Sequence, residues 1–161
     1  MIFVTLGTQD KPFERLIKAV EKQVELGNIT QEVIVQSGCT KYKSDKLKII
    51  PYMTIDELNK HLNDASLIIT HAGVGTIIQA LEIGKTVIAA ARKKEFGEHV
   101  SDHQQQFLDN FSSKGYIIPL LDFDKLDEVI KQAENFKPNK FESNNSNFIT
   151  STIQEINNLL S

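Results

Sequence analysis

Several features are scarce or missing in this 161-residue sequence, and their absence narrows the classes of protein to consider. The only cysteine, Cys39, has no partner for an internal disulfide, which favours a cytoplasmic location. There is no run of about 18 apolar residues, the length that predicts a membrane-spanning helix. The first residues, MIFVTLGTQDK, lack the basic and apolar regions of a signal peptide. The formal net charge of −3, with both signs interspersed, argues against binding to nucleic acid.

Short apolar runs alternate with amphipathic segments along the chain. The apolar runs predict strands at residues 2–6, 32–36, 47–50, 66–70, 86–90 and 116–120. The amphipathic segments predict helices at residues 13–26, 54–65, 76–84, 102–114 and 122–136. Thr54 and Asp122 are the expected capping residues of two of them. A polar linker at 137–147 and a terminal helix at 148–161 are predicted to follow.

This alternation predicts the fold class. Strands that alternate with helices form a parallel sheet covered by helices on both faces. Right-handed crossovers then give one α/β, Rossmann-like, doubly wound domain over residues 1–136. Ligands of such domains bind at the carboxyl ends of the strands. Glycine-rich turns follow the first and fourth predicted strands, at 7–10 and 71–76, and they line one crevice if those strands are neighbours.

The turn HAGVGT has the residue types of a phosphate site. A helix N-terminus offers unpaired N–H groups, and Gly73 and Gly75 let a diphosphate approach the backbone. Thr76 and His71 add side-chain donors. The alternative is a tight turn with a capped helix and a partly buried histidine. Ile78 stands where a dinucleotide fingerprint needs a small residue, and no Gly-Lys-Ser/Thr loop occurs.

Two further polar segments follow strand ends. Thr8 and Gln9 come after Gly7, although a helix cap at Thr8 or Asp10 explains them equally well. A charged loop follows the fifth strand, where substrate contacts fall in this topology, although such loops are usually only solvated. Its polar residues are Arg92, Lys93, Lys94, Glu98, His99, Asp102, His103 and Gln104. The spacing of His99, Asp102 and His103 suggests a metal site only weakly, because no third and fourth ligand is evident.

The segments MIFVTLGTQDKPFERL, ITHAGVGT and EFGEHVSDHQ together resemble the nucleotide-sugar half of GT-B glycosyltransferases, in particular the family 28 C-terminal domain. Within that family the chain resembles the small capsule and exopolysaccharide subunits of the PssE type. These are similar to the soluble subunit of the eukaryotic dolichol-linked UDP-GlcNAc transferase. The resemblance covers about residues 1–135.

The resemblance implies roles for the residues of both turns and of the charged loop. The UDP diphosphate would be held by His71, Gly73, Gly75 and Thr76, and Gly7, Thr8 and Gln9 would face the same phosphates or the acceptor. The donor sugar would be held by Asp102, His103 and Gln104. Gln79 stands where related enzymes hold the ribose with a glutamate, and Glu82 substitutes for it only if the helix rotates. Glu98 and His99 are the candidate general bases, unless the base lies in a partner.

The resemblance also implies a reaction and a partner. A GT-B enzyme needs two Rossmann-like domains, so a membrane-anchored subunit would bind the lipid-linked saccharide and hold this chain at the inner face of the plasma membrane. The terminal helix would dock to that subunit, with packing on its own domain as the alternative. In the isolated chain it would be able to pair two copies. The expected reaction is inverting and needs neither metal nor cofactor: β-1,4 transfer from UDP-galactose, with UDP-GlcNAc as the next candidate donor.

Two other classes remain as alternatives. One is a non-catalytic nucleotide-sugar-binding scaffold that supports a partner enzyme. The other is an NAD-type oxidoreductase, which Ile78 and Gln36 disfavour, because the second strand ends without the acidic residue that holds the ribose.

Overall fold

The computed structural model describes residues 1–141 and contains a six-stranded parallel sheet. Its strand order is β3-β2-β1-β4-β5-β6. The strands are β1 (Ile2–Thr5), β2 (Val33–Gln36), β3 (Lys48–Ile50), β4 (Leu67–His71), β5 (Val87–Ala90) and β6 (Ile118–Pro119). The predicted α/β, doubly wound fold class is therefore confirmed.

Helices connect the strands and cover both faces of the sheet. They are α1 (Glu14–Glu25), α2 (Ile55–Asp64), α3 (Val74–Glu82), α4 (His103–Ser113) and α5 (Leu126–Asn135), with short 3₁₀ turns at Lys94–Phe96 and Phe123–Lys125. The predicted terminal helix, and the linker beyond residue 141, lie outside the described residues. Within residues 1–141, no helix has the length and apolar character needed to cross a membrane.

Two helix starts differ in detail from the predictions. Thr54 caps α2 as expected, in a capping box with Glu57. Asp122 does not cap α5; its carboxylate accepts a hydrogen bond from the Asp124 amide and caps the 3₁₀ turn before it. α3 begins at Val74 rather than Thr76, because Gly73 takes the extended conformation of the N-cap and the helix starts directly after it.

The strands are apolar because both faces of the sheet are covered. Val4 and Ile69 belong to the core that lies against α1 and α5. Phe3 and Ile68, their neighbours along the chain, belong to the opposite core, against α2, α3 and α4. Successive buried side chains point into opposite cores, and this fixes the register of the strands. A slip of one residue would move every side chain to the other face of the sheet.

The strand order reverses between β1 and β4. Thr5 pairs with Thr70 at the carboxyl ends of these two strands, and the Thr70 hydroxyl donates to the Thr5 carbonyl at 3.1 Å. The turns that follow, starting at Gly7 and at Ala72, therefore leave the sheet side by side. This confirms the predicted adjacency and places both turns at the switch point where doubly wound sheets bind ligands.

Candidate functional site

His71 is the centre of the crevice between the two turns. It ends β4 and is only 6% exposed. A Cβ atom on Gly7 would lie 2.6 Å from its Nε2, and a Cβ atom on Gly73 would lie 2.4 Å from its Cε1. Both glycines are therefore required by the packing of the imidazole.

The imidazole of His71 is neutral. Burial, with smaller effects from Arg92 and His99, lowers its pKa to about 3. Its Nδ1 atom is buried and has no hydrogen-bond partner among the described residues. Since buried polar atoms are nearly always paired in native proteins, this nitrogen marks a place where residues 1–141 leave a polar atom open to a further partner.

The first turn of α3 lacks the usual caps. Its N-cap is Gly73, which has no side chain to accept a hydrogen bond, and no acidic residue occurs in the first turn. The N–H groups of Val74, Gly75 and Thr76 have no partner within the helix. Gly75 is exposed, and a Cβ atom there would meet nothing within 4 Å. Packing therefore does not require glycine at position 75, and the exposed first turn of α3 offers its N–H groups to an anion there.

The turn after β1 is held by Gln36, which the sequence analysis did not include in the site. The Gln36 amide donates to the carbonyls of Gly7 and Pro51 at 3.1 and 3.0 Å, and its Oε1 accepts from the Thr5 hydroxyl at 2.7 Å. Gly7 itself has a φ of 71°. The available signal was an amide at the end of a strand that is otherwise apolar. Thr8, exposed, and Gln9, half-buried, follow at the same edge of the sheet.

Arg15 joins α1 to the loop after β5 through Glu98. Its Nη2 lies 2.9 Å from Glu98 Oε1, and its Nε donates to Oε2 at 3.1 Å. Oε1 also accepts from the Lys93 amide at 3.0 Å. The guanidinium carbon lies 3.8 Å from the ring centre of Phe123 and 4.6 Å from that of Phe96. Glu98 is 4% exposed, and this geometry favours a structural role for its carboxylate. Its predicted role as a base stays a prediction.

The other predicted residues of this loop mostly contact the loop itself. His99 is half-buried, with Nδ1 3.1 Å from the Ser101 amide. Asp102 accepts from the Lys94 amide at 3.0 Å. Gln104, 4% exposed, accepts from the Arg92 amide at 3.0 Å. The Nδ1 atom of His103 is buried without a partner in the described chain. Sugar contacts by these residues remain predictions.

Gln79 connects α3 to α2. Its Nε2 donates to Asn59 Oδ1, so the amide predicted to contact a ribose is engaged within the protein. Glu82 is exposed at the end of α3. Neither arrangement tests nucleotide binding, and both roles stay predictions. Among residues 1–141, no group of three or more His, Cys, Asp or Glu side chains is placed to hold a metal ion.

Cavities occur at both edges of the sheet in the described residues. One of about 420 Å³ lies at the amino edge, beside Ile2, Ser66 and Thr86, which is the wrong edge for a ligand of a doubly wound sheet. One of about 800 Å³ lies beyond β2 and β3, between Ser37 and Tyr52. We place the candidate site at the two glycine turns because they follow β1 and β4 at the switch point of the carboxyl edge.

Comparison with known families identifies the family of the chain. Residues 1–160 match the glycosyltransferase family 28 C-terminal domain. The chain belongs to this family. The resemblance noted from the sequence is thereby confirmed at the level of the family, while the PssE-type subdivision stays a prediction.

Relatives of this family 28 domain include UDP-N-acetylglucosamine transferase subunits ALG13. The Candida albicans protein is 25% identical over 117 residues, which are 73% of this chain and 38% of that protein. The Yarrowia lipolytica protein is 30% identical over 110 residues, 62% of this chain and 56% of that protein. The chain thus spans about two fifths of one of these relatives and just over half of the other.

Solved structures share the fold. An NMR structure of ALG13 matches with a TM-score of 0.62 at 22% identity, covering 97% of this chain and 96% of that one. The glycosyltransferase SnogD from Streptomyces nogalater matches with a TM-score of 0.57 at 16% identity, covering 98% of this chain but 39% of SnogD. The family 28 domain therefore corresponds to one half of a GT-B fold.

Proposed function

We propose that this chain binds a UDP-sugar and is the donor-binding, catalytic subunit of a two-chain glycosyltransferase. The observation that carries the proposal is the uncapped first turn of α3, open at Gly75, beside a buried neutral histidine with an unpaired nitrogen. A diphosphate would accept hydrogen bonds from the N–H groups of that turn. Membership of the glycosyltransferase family makes a sugar nucleotide the class of ligand to test.

UDP-N-acetylglucosamine is the donor we favour. The relatives found are named UDP-N-acetylglucosamine transferase subunits, and nothing among them supports the expectation of UDP-galactose and capsule synthesis. UDP-galactose remains the second candidate, because the diphosphate and the nucleoside are common to both donors.

The proposed reaction is attack of an acceptor hydroxyl on the anomeric carbon of the sugar, which breaks the bond to the diphosphate oxygen and inverts the carbon. Negative charge develops on the departing UDP, where the α3 N-terminus and the neutral His71 would stabilise it, without a metal ion or cofactor. The hydroxyl proton must pass to a base, for which Glu98, His99 and a partner residue are the candidates.

The acceptor site is proposed to lie in a second, membrane-anchored chain. The relatives are named as subunits, and the chain matches only 39% of the complete glycosyltransferase SnogD. That partner would bring the lipid-linked saccharide and place this chain at the cytoplasmic face of the membrane. The predicted helix at 148–161 is the proposed docking element, and the isolated chain would be able to pair with itself through the same helix.

Calorimetry tests the donor directly. We expect the purified chain to bind UDP with a Kd on the order of micromolar, and UDP-N-acetylglucosamine more tightly than UDP-galactose. NADH is the control and should show no binding. Tighter binding of NADH than of UDP would overturn the proposal. Tighter binding of UDP-galactose than of UDP-N-acetylglucosamine would make UDP-galactose the favoured donor. If none of them binds, the titration is repeated with the partner chain; absence of binding there too would reject the proposed function.

The variant His71→Ala distinguishes a catalytic subunit from a non-catalytic scaffold. In the reconstituted two-chain enzyme, we expect this variant to lose at least ten-fold in kcat/KM, because a donor to the leaving diphosphate is removed. Unchanged activity, with the variant still bound to its partner, would assign the chain to a scaffold.

The role of Glu98 is testable by comparing both ends of its ion pair. If the pair only anchors the loop, both Glu98→Gln and Arg15→Met should lower the free energy of unfolding. Arg15→Met should cost more, about 3 kcal/mol, because it leaves the buried Glu98 carboxylate without its ionic partner, and the double variant should lose less than the sum of the two. Urea unfolding measures this. A large loss of kcat in Glu98→Gln that Arg15→Met does not share would instead support the base role.

A further inference from the structure

Arg92 carries a buried charge that no carboxylate of the described chain contacts. It follows β5, is 2% exposed and is among the largest fully buried side chains. Its guanidinium donates only to backbone carbonyls: Nη1 to Lys11 at 2.7 Å and Glu98 at 3.2 Å, and Nη2 to Leu6 at 2.7 Å. Its Nε is buried without a partner among the described residues. Such a charge is costly to bury, and an ionic partner is its usual compensation.

The one nearby buried acid is already paired. Glu98 binds Arg15 through both carboxylate oxygens, and its backbone carbonyl accepts from Arg92. Its negative charge also acts on Arg92 and partly offsets the lowering of the Arg92 pKa by burial. Of the three charges in this network, two are positive and one is negative, so the network keeps one net positive charge. Burial lowers the pKa of Arg92, but an arginine remains protonated near neutral pH.

This surplus charge lies beside the crevice. Leu6, whose carbonyl accepts from Arg92, directly precedes Gly7. Ala90, two residues before Arg92, is the register partner of His71. The positive charge of Arg92 also contributes to the low pKa of His71. The guanidinium therefore ties the turn after β1 to the loop after β5, immediately behind the two glycine turns.

We propose that Arg92 is an electrostatic positioning residue, whose buried charge is balanced by the diphosphate when the donor binds. The inference rests on the proposed function, because it needs an anion in the crevice. Arg92 acts through space and through the two loops that it holds together, without a direct contact to the ligand. Its effect on affinity should then grow with the negative charge of the ligand, because Coulomb energy is proportional to that charge.

A series of ligands that differ in charge tests this inference. We expect Arg92→Gln to weaken binding of UDP by about ten-fold or more and of UMP by less, while the affinity for uncharged uridine changes less than two-fold. Arg92→Lys, which keeps the charge but not the planar fork, should remain within a few-fold of the wild type for all three. Chemical-shift titrations measure the weak uridine complex, and calorimetry measures UDP.

Controls distinguish the loss of the Arg92 charge from damage to the fold. Lys22→Gln removes an exposed charge near the far end of α1 and should leave UDP binding within two-fold of the wild type. Circular dichroism checks that each variant is folded. Equal losses for uridine and UDP in Arg92→Gln would overturn the inference and leave Arg92 a purely structural role. If Arg92→Gln does not fold, Arg92→Lys supplies the test: a loss of about ten-fold or more in UDP affinity, although the positive charge is kept, would overturn the inference. Failure of the wild type to bind UDP would count against the proposed function instead.

Discussion

Replacing Gly75 with alanine should stabilise the fold and weaken UDP binding at the same time. Gly75 lies inside the first turn of α3, where alanine costs less backbone entropy, and an added Cβ meets no atom of the chain within 4 Å. The free energy of unfolding should rise by about 0.5–1 kcal/mol. A methyl group at this exposed position would hold the diphosphate away from the helix N–H groups, and we expect about a ten-fold weaker Kd. Urea unfolding and calorimetry measure the two effects.

Two matched substitutions sharpen this test. Gly75→Asp adds a carboxylate where the diphosphate is proposed to lie, and it should weaken UDP binding about 100-fold without unfolding the chain. Gly73→Ala differs in kind, because its Cβ would lie 2.4 Å from the His71 ring, so it should destabilise the fold itself. If Gly75→Ala and Gly75→Asp both bind UDP like the wild type, the diphosphate does not lie on α3.

Much of the architecture was predictable because it depends on local pattern. Short buried strands and amphipathic helices have different periods, and their alternation leaves few topologies once crossovers are right-handed. That argument predicts that Gly7 and His71 share one crevice if the first and fourth strands are neighbours, as β1 and β4 are. The same argument does not distinguish Gly73 from Gly75, because both are glycines of one turn. In the structure, only Gly73 is required by packing against His71.

The contacts that hold the loop after β5 were not predictable, since they join residues far apart in sequence. Arg15 and Glu98 are 83 positions apart, and Arg92 reaches the carbonyl of Leu6 across 86. No periodicity pairs such residues. A run of charges at a strand end has the composition of a solvated loop, and only the fold shows that Glu98 and Gln104 turn inward while Lys94 and Glu95 remain exposed.

The start of α3 at Val74 was also not predictable from local propensity. Glycine and β-branched residues at positions 73–76 favour a later start, because they form helices poorly. Packing overrides this preference: Ile77 and Ala80 are fully buried in the core beside β4, and the helix that carries them extends back to Val74. An uncapped first turn that is intrinsically weak is a feature that a bound anion would stabilise.

The burial of neutral His71 should make the protein less stable in mild acid. Its pKa is about 3 in the folded chain, against about 6.5 for an unperturbed histidine such as one in the unfolded chain. Between these values the unfolded chain binds a proton that the folded chain does not, so stability is full above pH 6.5 and falls as the pH is lowered towards 3. From pH 7.5 to 5.0 we expect His71 to account for a loss of about 2 kcal/mol in the free energy of unfolding.

His71→Asn isolates that contribution. The variant leaves a cavity and should be less stable at pH 7.5, but the cavity costs the same at every pH. Its free energy of unfolding should therefore fall by about 2 kcal/mol less than that of the wild type between pH 7.5 and 5.0, with urea unfolding as the measurement. His71→Gln should behave likewise, since it too removes the titrating ring. Equal pH dependence in all three proteins would mean that the imidazole is accessible to protons in the folded state. It would then be able to carry a positive charge towards the diphosphate, and the neutral-donor role proposed for it would be wrong.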